Sequence, residues 1–165
     1  MVATRLSTRI LLLLLVAALQ SSCGFQLQGR VPLSSALTIT LIEADDLQSD
    51  FVQDLRKALL TSGARLAGSP EEATAVIRVE RDELLERILS VSARNIPREY
   101  ELTYTVRIAV SSGERRLLPA EEFSLSRDFS FDERALLAKE REKDALSEAL
   151  ARDLVGIVMR RLSGL

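Results

Sequence analysis

The chain has 165 residues, enough for one domain and a processed leader. It has no histidine, no tryptophan and a single cysteine, which excludes Ser-His catalysis, His-ligated metals, intrachain disulfides and CxxC metal sites. A net charge of −2 with 4% aromatic residues offers neither the basic footprint nor the stacking platforms of a nucleic-acid-binding protein.

The first element is a leader. Arg5 and Arg9 precede an uncharged apolar run over residues 10–19 that includes five consecutive leucines at 11–15. As a helix the run spans about 15 Å, half of a ~30 Å bilayer core, so it suits a signal-peptide hydrophobic region rather than a membrane span. Five leucines in a row leave no polar face for a surface-packed core helix. Ser21 and Ser22 then lead directly into Cys23, the only cysteine. This arrangement resembles the bacterial lipobox, with Gln20 standing where the pattern prefers Leu and Leu19 one place earlier. The resemblance implies cleavage before Cys23, and N-acyl and S-diacylglycerol groups on that residue. Each buried CH₂ contributes about 0.8 kcal/mol, so two or more chains anchor a protein stably. Gly24 and Phe25 follow where acidic residues would mark inner-membrane retention, which points to the outer membrane. The expected organisation is a signal peptide at 1–22, a lipidated tether at 23–35 and one domain at 36–165.

In the mature domain, residues 36–44 (ALTITLIEA) predict a strand with Leu37, Ile39 and Leu41 on one face. Residues 49–63 (SDFVQDLRKALLTSG) predict a helix. Ser49 or Asp50 caps it, Phe51, Val52, Leu55, Leu59 and Leu60 form its apolar face, and Gly63 follows its end. Residues 73–82 begin a second strand. Residues 83–91 fit either a helical stripe (Leu84, Leu85, Ile88, Leu89) or a strand face (Leu85, Leu89, Val91 and Ala93, with Arg87 included). Residues 98–110 predict the clearest strand: Tyr100, Leu102, Tyr104, Val106, Ile108 and Val110 face one way, with Glu101, Thr103, Thr105, Arg107 and Ala109 opposite. A turn at 111–115 leads to a fourth strand from Glu121, where Phe123, Leu125, Phe129 and Phe131 are in register and Arg127 interrupts. A final helix is expected from about Ala145 to Leu162, with residues 139–144 (KEREKD) a solvated first turn or loop.

The expected fold is therefore an α/β (α+β) sandwich of order βαβββα. Two helices pack on one face of a mixed four-stranded sheet, and the other face carries Thr, Ser, Glu and Arg. Catalysis is not expected. The acidic doublets at Asp45, Glu71 and Glu121 read as solvated loop charge, and none of the three lysines (Lys57, Lys139, Lys143) sits in an S-x-x-K context.

Several segments together resemble the LptE family of lipopolysaccharide-assembly lipoproteins. CGFQLQG keeps Cys23, Gly24, Phe25 and Leu27 of the family's C-G-[FW]-H-L-R start, with Gln26 and Gln28 in place of His and Arg. REYELTYTV is similar to its A-E-Y-Q strand, and RDFSFDERALLAKEREKDALSEALARDLVGIVMRRL to its A-L-A-K-[DE] segment and final helix. The resemblance implies the sandwich fold and a long second strand through 83–91. It also implies an outer-membrane β-barrel partner, LptD, whose lumen the domain plugs, and contact with lipopolysaccharide during transport. No cofactor beyond the lipid on Cys23 is implied. Arg94 matches the basic residue of the family's R-N turn and Lys139 the Lys of A-L-A-K; both are lipopolysaccharide-binding positions by that resemblance. Lipid A phosphates suit an Arg fork and a Lys point charge. The alternative of another class is a lipid-anchored periplasmic scaffold with no glycolipid ligand.

Overall fold

The computed structural model describes residues 33–130 and 136–165, with the side chains of the last helix described from Glu140 on. The leader, Cys23, Gln26, Gln28 and Phe131 lie outside the described residues.

A 3-10 turn at Ser35–Leu37 opens the domain and buries Leu37 completely. It feeds strand β1, Ile39–Ala44. The turn changes the phase of the alternation expected from sequence. Leu37 enters the core from the turn, and within β1 it is Thr40, not Ile39 or Leu41, that is fully buried. Its hydroxyl donates to the Leu37 carbonyl at 2.9 Å, which removes the penalty for burying a hydroxyl.

Helix α1, Asp50–Thr61, is capped by Ser49, whose hydroxyl accepts from the Val52 N–H at 3.2 Å. Its far end closes in a Schellman motif: Ala64 N–H reaches the Leu59 carbonyl and Gly63 N–H the Leu60 carbonyl, both at 3.0 Å. Gly63 takes φ 95° there, a left-handed value that side chains resist. Strand β2 follows immediately as Arg65–Leu66, parallel to β1.

Strand β3 runs unbroken from Ala75 to Val91, so residues 83–91 are strand. A local helical stripe loses because β4, Pro97–Ser112, pairs antiparallel with β3 along almost its whole length. A two-residue connection leads to β5, Arg115–Ser130. Gly113 takes φ 55°, as a type II′ hairpin asks of its first turn residue. β5 thus starts before the expected Glu121 and includes Pro119. Pro119 is tolerated because it lies on the edge strand, between the Val110–Leu118 and Ile108–Glu121 pairs where the register shifts.

The sheet has five strands, not four, in the order β2-β1-β3-β4-β5. The extra strand, β2, is too short to show an alternation in sequence. Helix α2, Leu136–Ser163, is also longer than the apolar stripe suggests. It takes in the whole KEREKD segment, since Lys, Glu and Arg are good helix formers without burial.

Both helices cover one face. Phe51, Val52, Leu55 and Leu59 of α1 and Leu150, Leu154, Val158 and Leu162 of α2 share a single core with Ile77, Leu102, Val106, Ile108, Val110 and Leu118. Each fully buried aliphatic side chain contributes about 1.5–3 kcal/mol by leaving water. The opposite face is polar, as its Thr, Ser, Glu and Arg pattern predicts. Thr103 pairs with Ser126 at 2.8 Å and Thr105 with Ser124 at 2.9 Å. Arginines on this face meet carboxylates: Arg78–Glu43 and Arg87–Glu101 at 2.8 Å, Arg107–Glu80 at 3.2 Å and Arg81–Glu122 at 3.4 Å.

Candidate ligand-binding end of the sheet

Three ion pairs show how α2 lies on the sheet. Arg161 meets Glu121 at 2.9 Å, Asp153 meets Arg127 at 2.6 Å, and Lys143 meets Glu86 of β3. The helix therefore starts near the end of the sheet where β3 turns into β4. The Arg127 that interrupts the apolar register of β5 is the strand half of one of these links. Its side chain stays on the helix-covered face and reaches a carboxylate there. The Glu86 carboxylate beside Lys143 raises that ammonium's pKa, chiefly through their hydrogen bond.

The β3–β4 turn is built around Ser92. Its N–H donates to the Ile96 carbonyl at 2.7 Å, its carbonyl accepts from Asn95 N–H at 2.9 Å, and its hydroxyl accepts from Ile96 N–H at 3.1 Å. Asn95 takes φ 60°, a conformation Asn tolerates better than most residues. This turn holds Arg94 exposed at its tip. Lys139 lies in α2 one turn before Lys143, closer to that end. The fold thus brings Arg94 and the Lys139 backbone to the same end of the molecule, a relation that their 45-position separation in sequence does not show.

Two features of this end escaped the sequence reading. Arg98, at the start of β4, is a second exposed guanidinium beside the turn. Leu85, Ile88, Leu89 and Val91 are 53%, 51%, 42% and 51% exposed. Only two other large apolar side chains among the described residues, Leu47 and Leu60, are so exposed, and they lie elsewhere. The available signal was the double pattern of residues 83–91. A strand that also fits a helical stripe carries apolar residues on both of its faces, so one face must lie away from the helices.

Where the β3–β4 hairpin meets the core, Asp82 ties three elements together. One carboxylate oxygen accepts from the Tyr104 hydroxyl at 2.7 Å, and the other from the hydroxyl of Ser49, the α1 cap. Burial, then the hydrogen bond to Asp82, pushes the Tyr104 phenol well above its ordinary pKa. Every buried side-chain polar atom among the described residues has a partner. No group of three or more acidic or cysteine side chains among them is placed to hold a metal. What this end offers is non-covalent: free cations next to an apolar strand.

The family model described as "LptE: Lipopolysaccharide-assembly" matches residues 35–162. The solution structure of the uncharacterized lipoprotein B from Nitrosomonas europaea is 27% identical, covers 85% of this chain and 90% of its own, and superposes with a TM-score of 0.70. The rare lipoprotein B from Shewanella oneidensis is 22% identical over 76% of this chain and 94% of its own, with a TM-score of 0.66. A minor lipoprotein from Acinetobacter baumannii is 18% identical over 81% and 94%, also with a TM-score of 0.66. The last two show likeness of fold. No curated protein matches the chain.

Proposed function

The chain belongs to the LptE family of lipopolysaccharide-assembly lipoproteins, and on that premise we propose that it is an outer-membrane lipoprotein that engages lipopolysaccharide and assists an LptD-type β-barrel. The family match across residues 35–162 carries this reading. Residues 1–22 are the signal peptide, and 23–35 the tether that Cys23 anchors through its N-acyl and S-diacylglycerol groups. The domain at 36–165 faces the periplasm. The domain plugs the barrel lumen, and the polar sheet face suits this: its hydroxyl ladder and paired charges can exchange hydrogen bonds with a polar wall or with water at little cost. Arg94 and Lys139 contact the phosphates of lipid A. Their shared end of the fold supports that role.

Affinity purification from detergent-solubilised outer membrane tests the partner: a large β-barrel is expected, and its absence sinks the plug. For the ligand, Arg94→Asp with Lys139→Asp is expected to weaken lipopolysaccharide binding about tenfold or more while the barrel still co-purifies. Unchanged binding in a direct titration removes both residues from the site. Mass spectrometry of the mature N-terminus checks the anchor, where an unmodified Cys23 contradicts it.

A further inference from the structure

We propose that the far end of the β3–β4 arm is an acyl-chain contact of the same ligand site: Leu85, Ile88, Leu89 and Val91 hold the hydrocarbon of an anionic lipid whose phosphates meet Arg94 and Arg98. This rests on the lipopolysaccharide-binding reading and adds to it the apolar surface and Arg98.

Three observations carry it. The first is the clustering of exposed apolar side chains. Four lie within seven residues of one strand, at 42–53% exposure. Scattered surface leucines need no explanation, but four in one seven-residue strand end are not scattered. The second is the geometry. Leu85 pairs across the sheet with Thr103 and Ile88 with Tyr100, and these two positions lie on opposite faces of β3. The register also shifts at Leu89, between the Ile88–Tyr100 and Ser90–Glu99 pairs. The strand end is therefore an apolar wedge rather than one greasy face. A wedge of this kind can sit among flexible chains on both sides.

The third is charge. On the open face, Arg78, Arg81 and Arg107 near the core, and Arg87 between Leu85 and Ile88, each pair with a carboxylate. Arg94 and Arg98 at the tip have no such partner among the described residues, and both are exposed. Uncompensated guanidinium groups next to an apolar stem match a phosphate headgroup with attached acyl chains. A polar barrel wall would satisfy the cations but leave the leucines unburied, so the lipid is the better occupant.

The test uses the mature chain in titrations with purified lipid A and with fully deacylated lipopolysaccharide. Leu85→Thr with Leu89→Thr keeps β-propensity, and thermal melting checks its fold. A second variant, Ile88→Thr, guards against a fold defect in the first. Both are expected to bind lipid A at least tenfold more weakly in the double variant and several-fold in the single, with binding of the deacylated form unchanged. Arg98→Asp is expected to weaken both ligands. Equal lipid A affinity for wild type and the Thr variants overturns the acyl contact alone. Equal losses for both ligands also overturn it, as does loss of barrel co-purification with lipid A binding intact, which assigns the surface to a protein partner. A wild-type chain with no affinity for lipid A overturns the function reading and this inference together.

Discussion

Val79 and Leu89 lie on the same strand, ten residues apart, yet one is 6% exposed and the other 42%. They stand for two regions of one sheet. At its base, β1, β3, β4 and β5 have helices on one face and paired charges on the other. Toward the tip, the same strands continue past most of the core, with apolar side chains in water and, at the turn itself, Arg94 and Arg98 without carboxylates. The strand pairing does not change between the two regions, since β3 and β4 stay in register, with bulges, from Val76 to Val91. What changes is what covers the sheet. Continuous hydrogen bonding can carry a strand beyond its core and present residues that stability would not select. Stability is concentrated at the base and the candidate ligand contacts at the tip.

The sharpest way to break this comparison is to remove a base contact and a tip contact and compare stabilities. Leu154→Ala, at a fully buried position of α2, is expected to cost about 2–5 kcal/mol in chemical denaturation. A cost below about 1 kcal/mol would mean that the base is not the seat of stability. Asp82→Ala tests the joint between the two regions. It leaves the Ser49 and Tyr104 hydroxyls without their acceptor, and about 1–3 kcal/mol should be lost, with earlier amide exchange at the start of α1.

A third prediction follows from Tyr104. Its folded pKa is raised above the ordinary value of 10, so the folded state keeps a proton that the unfolded state releases in alkali. The stabilisation from this group is therefore fully present below about pH 10 and is lost as pH rises beyond it. Tyr104→Phe should flatten the stability profile above pH 10 relative to wild type; an unchanged alkaline slope would show that the phenol is not held in the joint. The smallest effect belongs to the tip. Leu85→Thr with Leu89→Thr should leave the unfolding free energy within about 0.5 kcal/mol of wild type, as for surface changes generally. A large loss there would show that the arm is part of the core and erase the distinction.

Much of the base was legible in the residues. The period-two run from Tyr100 to Val110 marks both faces of β4 because one face is dry and the other wet. The Ser49 cap and Gly63 are local signals that tertiary context did not override. The misses have separate causes. β2 is two residues long and exists only because α1 delivers the chain back beside β1. The core phase of β1 slipped because a 3-10 turn, rather than strand, holds Leu37. The KEREKD helix has no apolar periodicity because its first turns gain little from burial. Arg127 looked like a flaw in the β5 pattern until Asp153 appeared opposite it.

By itself the sequence determined the number of helices and most of the residues that they bury, the alternation of the long strands, and the absence of imidazole and intrachain disulfide chemistry. These depend on side-chain type and on spacing along a few turns, which are local quantities. Tertiary structure alone decided that residues 83–91 are strand, that Arg94, Arg98 and the start of α2 share one end, and that four apolar side chains there remain uncovered. Those facts depend on pairing partners distant in the chain and on where the covering helices stop. No local pattern encodes either.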